Sequence, residues 1–123
     1  MPLKFTLPLK IVSPNVSEHW TAKYKRSKAQ QNALALVLKL SLATVSLPCT
    51  VTLIRLGTRP LDFDNLVFSL KAVRDFISSL LVPGLAPGQA DSDKRITWVY
   101  QQGKGSKQMK YGLVIEIDDQ LPF

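Results

Sequence analysis

Apolar residues in this chain change their spacing along its length, from every second residue to every third or fourth and back, without a linker between the stretches. A spacing of two marks a strand with one buried face, and a spacing near 3.6 marks a helix with one apolar stripe. Residues 2–12 alternate, with Leu3, Phe5 and Leu7 on one face, and predict a first strand. Pro14-Asn15 opens a polar loop that runs to about Arg26. Ser27-Lys28-Ala29-Gln30 matches a capping box, in which the Ser and Gln side chains each satisfy a backbone N–H left open at a helix start. The helix behind it is expected to reach about Leu42, with Ala29, Ala33, Leu36, Val37 and Leu40 facing inward. Cys49 to Leu56 alternates again as a second strand, and Gly57 to Leu61 is a turn. Asp62 to Leu81 predicts a second helix carrying Leu66, Leu70, Val73, Phe76, Ile77 and Leu80, ended by Pro83-Gly84. Beyond the Pro/Gly loop from Leu85 to Ala90, Ile96 to Tyr100 and Tyr111 to Ile117 read as two strands. Gln101 to Lys110, with Gly103 and Gly105, reads as the hairpin between them. The order β-α-β-α-β-β predicts one small α/β (α+β) domain over residues 1–123, a mixed sheet with two helices packed on it.

A chain of 123 residues with 46% hydrophobic content can bury a real core without covalent staples. Cys49 is the only cysteine, so no disulfide forms within the chain, which suits a reducing compartment. The first ten residues alternate in polarity and lack the continuous apolar run of a secretory signal. The richest apolar stretch, Ala33 to Leu47, carries Lys39 and is too short to span a bilayer. The expectation is a soluble, cytoplasmic protein with no membrane partner.

Charge narrows the function. Lys and Arg total 16 against 9 Asp and Glu, a net charge of +7. Such an excess favours polyanions, because each Lys or Arg that neutralises a phosphate releases counterions. Between Glu18 and Asp62 there is no acid, while Lys23, Lys25, Arg26, Lys28, Lys39, Arg55 and Arg59 all fall there. Most of the acids gather instead in Asp62 to Asp93, which asks for a specific reason.

Two acidic clusters stand out: Asp62-Phe63-Asp64-Asn65 at the start of the second helix, and Asp91-Ser92-Asp93 before the third strand. A hard divalent cation such as Mg²⁺ takes oxygen ligands, commonly one or two carboxylates with waters and substrate phosphate. The plainer reading of the first cluster is helix capping, which explains one aspartate better than two. The plainer reading of the second is a solvated loop. Lys71 lies seven residues after Asp64, and Asp75 four after Lys71, so a continuous helix would place all three on one stripe. A lysine there can stabilise charge that develops on a phosphate, or can simply pair with Asp75.

The ordered set Asp62-Phe63-Asp64-Asn65-Leu66, Lys71 to Asp75, and Asp93 three residues before Ile96 resembles the RusA-like Holliday-junction resolvases. Ser13-Pro14-Asn15, the basic stretch from His19-Trp20 through Arg26, and Ser27 resemble that family's upstream turn, loop and helix start, so the likeness covers nearly the whole chain. The resemblance implies a Mg²⁺-dependent endodeoxyribonuclease, with Mn²⁺ as a substitute and no small-molecule cofactor. It implies Asp62, Asp64 and Asp93 as catalytic metal ligands, Lys71 as the catalytic cation, and a homodimer that nicks four-way junctions symmetrically. Two departures leave alternatives. Lys71 follows the motif three residues later than in the family, roughly 4.5 Å further along a helix axis, which makes Arg74 a substitute. Ser92 separates what is usually an adjacent acid pair, which makes Asp91 a further candidate ligand.

Lys23, Lys25, Arg26, Lys28, Arg59, Lys94, Arg95, Lys104 and Lys107 are the candidate contacts to the backbone of branched DNA. The rival expectation is a non-catalytic nucleic-acid-binding module with the same fold and a degenerate metal site. His19 is the sole histidine and there is no Cys-x-x-Cys, so no zinc site is expected. Gly103-Lys104-Gly105-Ser106-Lys107 lacks the spacing of a nucleotide-binding phosphate loop. Trp98 and Tyr100, on a strand, fit core packing better than base stacking.

Overall fold

The computed structural model describes residues 3–11, 45–82 and 93–119, together with Lys28, Asn32, Ala35, Leu38, Lys39 and Leu42. Four strands form one mixed sheet: β1 (Leu3–Leu7), β2 (Cys49–Gly57), β3 (Ile96–Lys104) and β4 (Gly112–Asp118). Their order across the sheet is β1-β4-β2-β3. β2 and β3 run parallel from Cys49↔Ile96 to Gly57↔Lys104, while β4 lies antiparallel to both β2 and β1. The domain is α+β in the order that the periodicities predict.

One face of the sheet carries the core. Val51, Leu53, Leu113, Ile115 and Ile117 are buried there, and Leu3, Phe5 and Leu7 of β1 sit opposite Ile117, Ile115 and Leu113. Two helices cover this face, α1 (Phe63–Ser69) and α2 (Lys71–Leu81), and contribute Leu66, Val73 and Ile77, with Leu70 between them. Lys28, Asn32, Ala35 and Leu38 are also helical, and Leu38 and Leu42 enter the core. The inward positions Ala29, Ala33, Leu36, Val37 and Leu40, and the Ser27–Gln30 cap, lie outside the described residues. Cys49 is buried at the start of β2, and burial pushes its thiol above the usual value, which makes it a packing residue rather than a nucleophile. Among the described residues no helix is long and apolar enough to cross a membrane.

The structure corrects three expectations. The first strand ends at Leu7 rather than near residue 12, because Pro8 has no N–H to continue a ladder. The segment Gln101 to Lys110 is not a hairpin: β3 continues to Lys104 and pairs with β2, and β4 lies on the far side of β2. The reason is visible in β4, where Leu113, Val114 and Ile115 are buried in succession, on both faces. That is the pattern of an interior strand. The connection therefore passes the end of β2, where the Gly105 N–H donates to the Gly57 carbonyl at 3.3 Å.

Third, the helix after Asp62 is not continuous. It breaks at Leu70 (φ −97°, ψ 3°). The Leu70 N–H is shared between the carbonyls of Leu66 and Val67 at 3.3 and 3.2 Å, and the Ser69 hydroxyl donates to the Leu66 carbonyl at 2.8 Å. Across this tightened turn Leu66, Leu70, Val73 and Ile77 all stay in the core. Leu70 is wholly buried at the joint, whereas Phe68 of the same turn is 64% exposed. Replacing Leu70 with Ala should therefore cost about 2–5 kcal/mol in urea unfolding. Phe68→Ala should stay within about 0.5 kcal/mol of wild type.

Candidate functional site

Because β2 and β3 are parallel, the turn leaving β2 and the connection leaving β3 emerge at the same end of the sheet. The turn is fixed there. The Leu61 N–H donates to Gln102 Oε1 at 2.9 Å, and Gln102 Nε2 donates back to the Leu61 carbonyl at 2.6 Å. One residue into α1, Phe63 meets Tyr100 edge-on with ring centroids 6.3 Å apart. These contacts hold Asp62 and Asp64 at the C-terminal end of β3, on either side of Phe63.

Both aspartates are exposed. Asp62 occupies the N-cap of α1, but its side chain makes no capping bond to a backbone N–H; Oδ1 accepts from the Asn65 side chain at 2.5 Å instead. Capping is thus not what its carboxylate does. Asp64 lies in the first turn, where the positive end of the helix favours a carboxylate. Phe63 is 64% exposed, an aromatic surface beside the acid pair.

The same end carries a basic cleft. A cavity of about 390 Å³ opens between Gly57 and Thr58 on one wall and Lys104, Ser106, Lys107 and Lys110 on the other. It adjoins a second hollow of about 300 Å³, reached past Pro60, Gln102 and Gly103. Gln102, which lines the second hollow, is the residue that holds Leu61. Of the basic residues expected at the backbone, Arg59, Lys104 and Lys107 are exposed at this end. Lys28 is exposed on its helix, and Lys23, Lys25 and Arg26 lie outside the described residues.

Asp93 is elsewhere. Its carbonyl accepts from the Ile96 N–H at 3.1 Å, at the N-terminal end of β3. The stretch from Ile96 to Gln102 is on the order of 20 Å long at ~3.3 Å per residue. Asp93 is also engaged: Arg95 donates to it from its backbone N–H (2.9 Å), Nε (3.1 Å) and a terminal guanidinium nitrogen (2.8 Å). The Arg95 guanidinium and backbone N–H hold this carboxyl down at a pKa of about 2. Lys94 and Arg95 share this opposite end, with the Arg95 charge directed at Asp93. Asp91 lies outside the described residues.

Asp62 and Asp64 thus share the C-terminal end of β3, two residues apart at the start of α1, and Asp93 stands at the other end. Among the described residues no group of three or more His, Cys, Asp or Glu is placed to hold a metal ion. The three-carboxylate set does not fit; the exposed pair does match the one or two carboxylates that Mg²⁺ takes beside water and phosphate.

Lys71 is exposed in the first turn of α2 and makes no ion pair among the described residues. Asp64 belongs to α1 and Lys71 and Asp75 to α2, with the joint at Leu70 between them; Asp64 and Lys71 are exposed and Asp75 is half-buried. Arg74 turns to the sheet instead. Its NH1 donates to the Tyr100 hydroxyl at 2.7 Å, and its guanidinium lies 4.9 Å above the Trp98 ring. Trp98 and Tyr100 are half-buried against the core. Sequence reasoning missed Lys110 and Thr58. The signal available was their position just before β4 and just after β2, but it needed the strand order to be read.

The Arg95 contacts give a titration test. Asp93 should titrate near pH 2 by NMR in the wild type and return toward the ordinary value near 4 in Arg95→Ala. Since the folded-state value lies below the unfolded one, the pair stabilises the fold above about pH 4 and loses that contribution as pH falls toward 2. In comparison with known proteins, the chain matches no family model and no curated protein.

Proposed function

We propose that this chain binds branched DNA at the C-terminal end of its parallel strands and nicks it by Mg²⁺-dependent phosphodiester hydrolysis. The observation that carries the reading is that the exposed Asp62 and Asp64 share the C-terminal end of the parallel strands with a lysine-lined cleft. A phosphate backbone drawn to Lys104 and Lys107 runs past two carboxylates of the kind a hard cation requires. Asp62 and Asp64 would hold Mg²⁺, which would supply positive charge against the scissile phosphate. Lys71 adds an exposed cation just beyond the helix break, and Phe63 offers a face on which an unpaired base can stack. The preference for branched DNA rests on the RusA-like order of Asp62-Phe63-Asp64-Asn65-Leu66, Lys71 and Asp93. A twofold homodimer would present two such sites to the two strands of a junction.

The second reading is a nucleic-acid-binding module that does not cut. It is favoured by one observation: Asp93 lies at the other end of β3, bound by Arg95.

A synthetic four-way junction separates the two. The wild-type protein should nick it with Mg²⁺ or Mn²⁺ and release it as salt rises, with a log–log slope of roughly −0.9 per phosphate neutralised. Asp64→Asn should abolish the nick and leave junction binding intact or tighter. Asp93→Asn should keep cutting, in contrast to the role that the family resemblance implies. Wild-type protein that binds junctions and never nicks them would establish the binding module.

A further inference from the structure

Arg55 is the one charged residue in the buried set among the described residues, at 7% exposure. It lies on the core face of β2, in register with Leu113 of β4 and Gln102 of β3. Its Nε donates to the Ile11 carbonyl at 3.1 Å and its NH1 to the Arg59 carbonyl at 2.9 Å. These bonds use two of the five N–H donors of a guanidinium. No carboxylate among the described residues pairs with it. Burying a cation against carbonyls alone is costly, and burial does hold this guanidinium below its ordinary pKa.

The guanidinium packs against Gly57, which lines the cleft. A Cβ added to Gly57 would stand 3.0 Å from Arg55 NH1 and 3.1 Å from NH2. Gly57 lines both hollows, so the missing side chain leaves only backbone between the buried cation and the cavity. Around it the charge is of one sign. Lys104, Lys107 and Lys110 line the mouth. Lys10 lies 4.5 Å above the ring of Tyr111, whose hydroxyl is hydrogen-bonded to Thr58 of the cleft wall. That bond, then Lys10, keeps the Tyr111 phenol below its usual value, a sign of a field that favours anions. The cleft lining contains no acid.

We propose that this cleft is a discrete phosphate site, in which the Arg55 guanidinium forms the electrostatic floor, Lys104 and Lys110 close on the phosphate oxygens, and Ser106 supplies a hydroxyl donor. The phosphate belongs to a nucleic-acid strand. The cavity is larger than a phosphate group needs, and it adjoins a hollow lined by Pro60 and by Gln102, the residue bound to Leu61, so a strand anchored here lies at the end of the sheet that carries Asp62. The assignment rests on the nucleic-acid part of the proposed function and not on cleavage.

Amide NMR of the full chain, titrated with inorganic pyrophosphate and separately with a short 5′-phosphorylated oligonucleotide, tests it. Both should shift the Gly57, Thr58, Gly105 and Ser106 resonances saturably and should compete, whereas sodium chloride at matched ionic strength should not. The exposed double variant Lys104→Ala/Lys110→Ala should weaken both ligands by about tenfold or more, the loss of one or two charge-assisted contacts. Arg55→Lys, which keeps the charge and loses the fork, should weaken them with an unchanged far-UV CD spectrum. Unmoved cleft amides, shifts that chloride reproduces, or affinity retained in the double variant would overturn the site, even if junctions are still bound and nicked. Pyrophosphate binding that no oligonucleotide displaces would overturn the strand as its source. Saturable binding of both by a protein that nicks nothing would uphold the site and remove only the nuclease reading.

Discussion

The parallel pairing of β2 with β3 decides where every other part of this molecule can be. Parallel neighbours cannot be joined by a tight turn; the chain must cross back along the sheet, and here it does so as α1 and α2. A crossover has two ends. The turn that leaves β2 stands at the C-terminal end of the strands, and the segment that enters β3 stands at the N-terminal end. Asp62 and Asp64 belong to the first and Asp93 to the second. Their separation is a property of the topology, and no rotamer change closes it. The lysines of the β3–β4 connection share the end of Asp62 for the same reason.

Within that frame, two contacts convert topology into a site. The paired bonds between Leu61 and Gln102 fix the entry to α1, so the acid pair is held by a half-buried strand residue rather than by a loose loop. The Arg74 contacts to Tyr100 and Trp98 lock α2 to the same strand. β3 thus holds both helices, although it lies at the edge of the sheet. The charge at that end is arranged in depth as well as across the surface, with Arg55 beneath and the lysines at the mouth. A positive region with a desolvated component is screened less by salt than one made of surface lysines alone.

Much of this was legible in the sequence, and what escaped has physical causes. Period-two patterning located β2 because every second residue of it is buried, and Leu66, Leu70, Val73 and Ile77 announced a helix over the right residues. The same apolar spacing cannot show a break at Leu70, since Leu66, Leu70, Val73 and Ile77 keep helical spacing across it. Strand order was misjudged at Gln101 to Lys110 because glycines and lysines between two strands suit a hairpin and a crossover loop equally. The decisive clue was the uninterrupted Leu113-Val114-Ile115, which marks an interior strand. For the candidate site, the pattern correctly placed Asp62 and Asp64 at a helix start. Asp93 was drawn to them by motif order, which records neighbours along the chain and carries no information about which end of a sheet a loop occupies. Arg55 looked like one more basic residue, because burial of a cation is invisible to composition.

The sheet order has a further consequence, in time rather than in space. β4 is the last strand in the described chain and lies between β1 and β2, so that Leu3 finds its partner only in Ile117. During synthesis β1 has no neighbour to join until β4 has emerged, and β2 lacks one of its two flanking strands. The parallel β2–β3 unit with its crossover helices is the part that can form from contiguous chain. The insertion of β4 must then close the longest loop in the sheet, and contacts of that sequence separation slow folding. Until that strand arrives, the apolar faces of Leu3, Phe5 and Leu7 remain in search of cover, which makes the nascent chain most prone to wrong pairing just before its final strand is made.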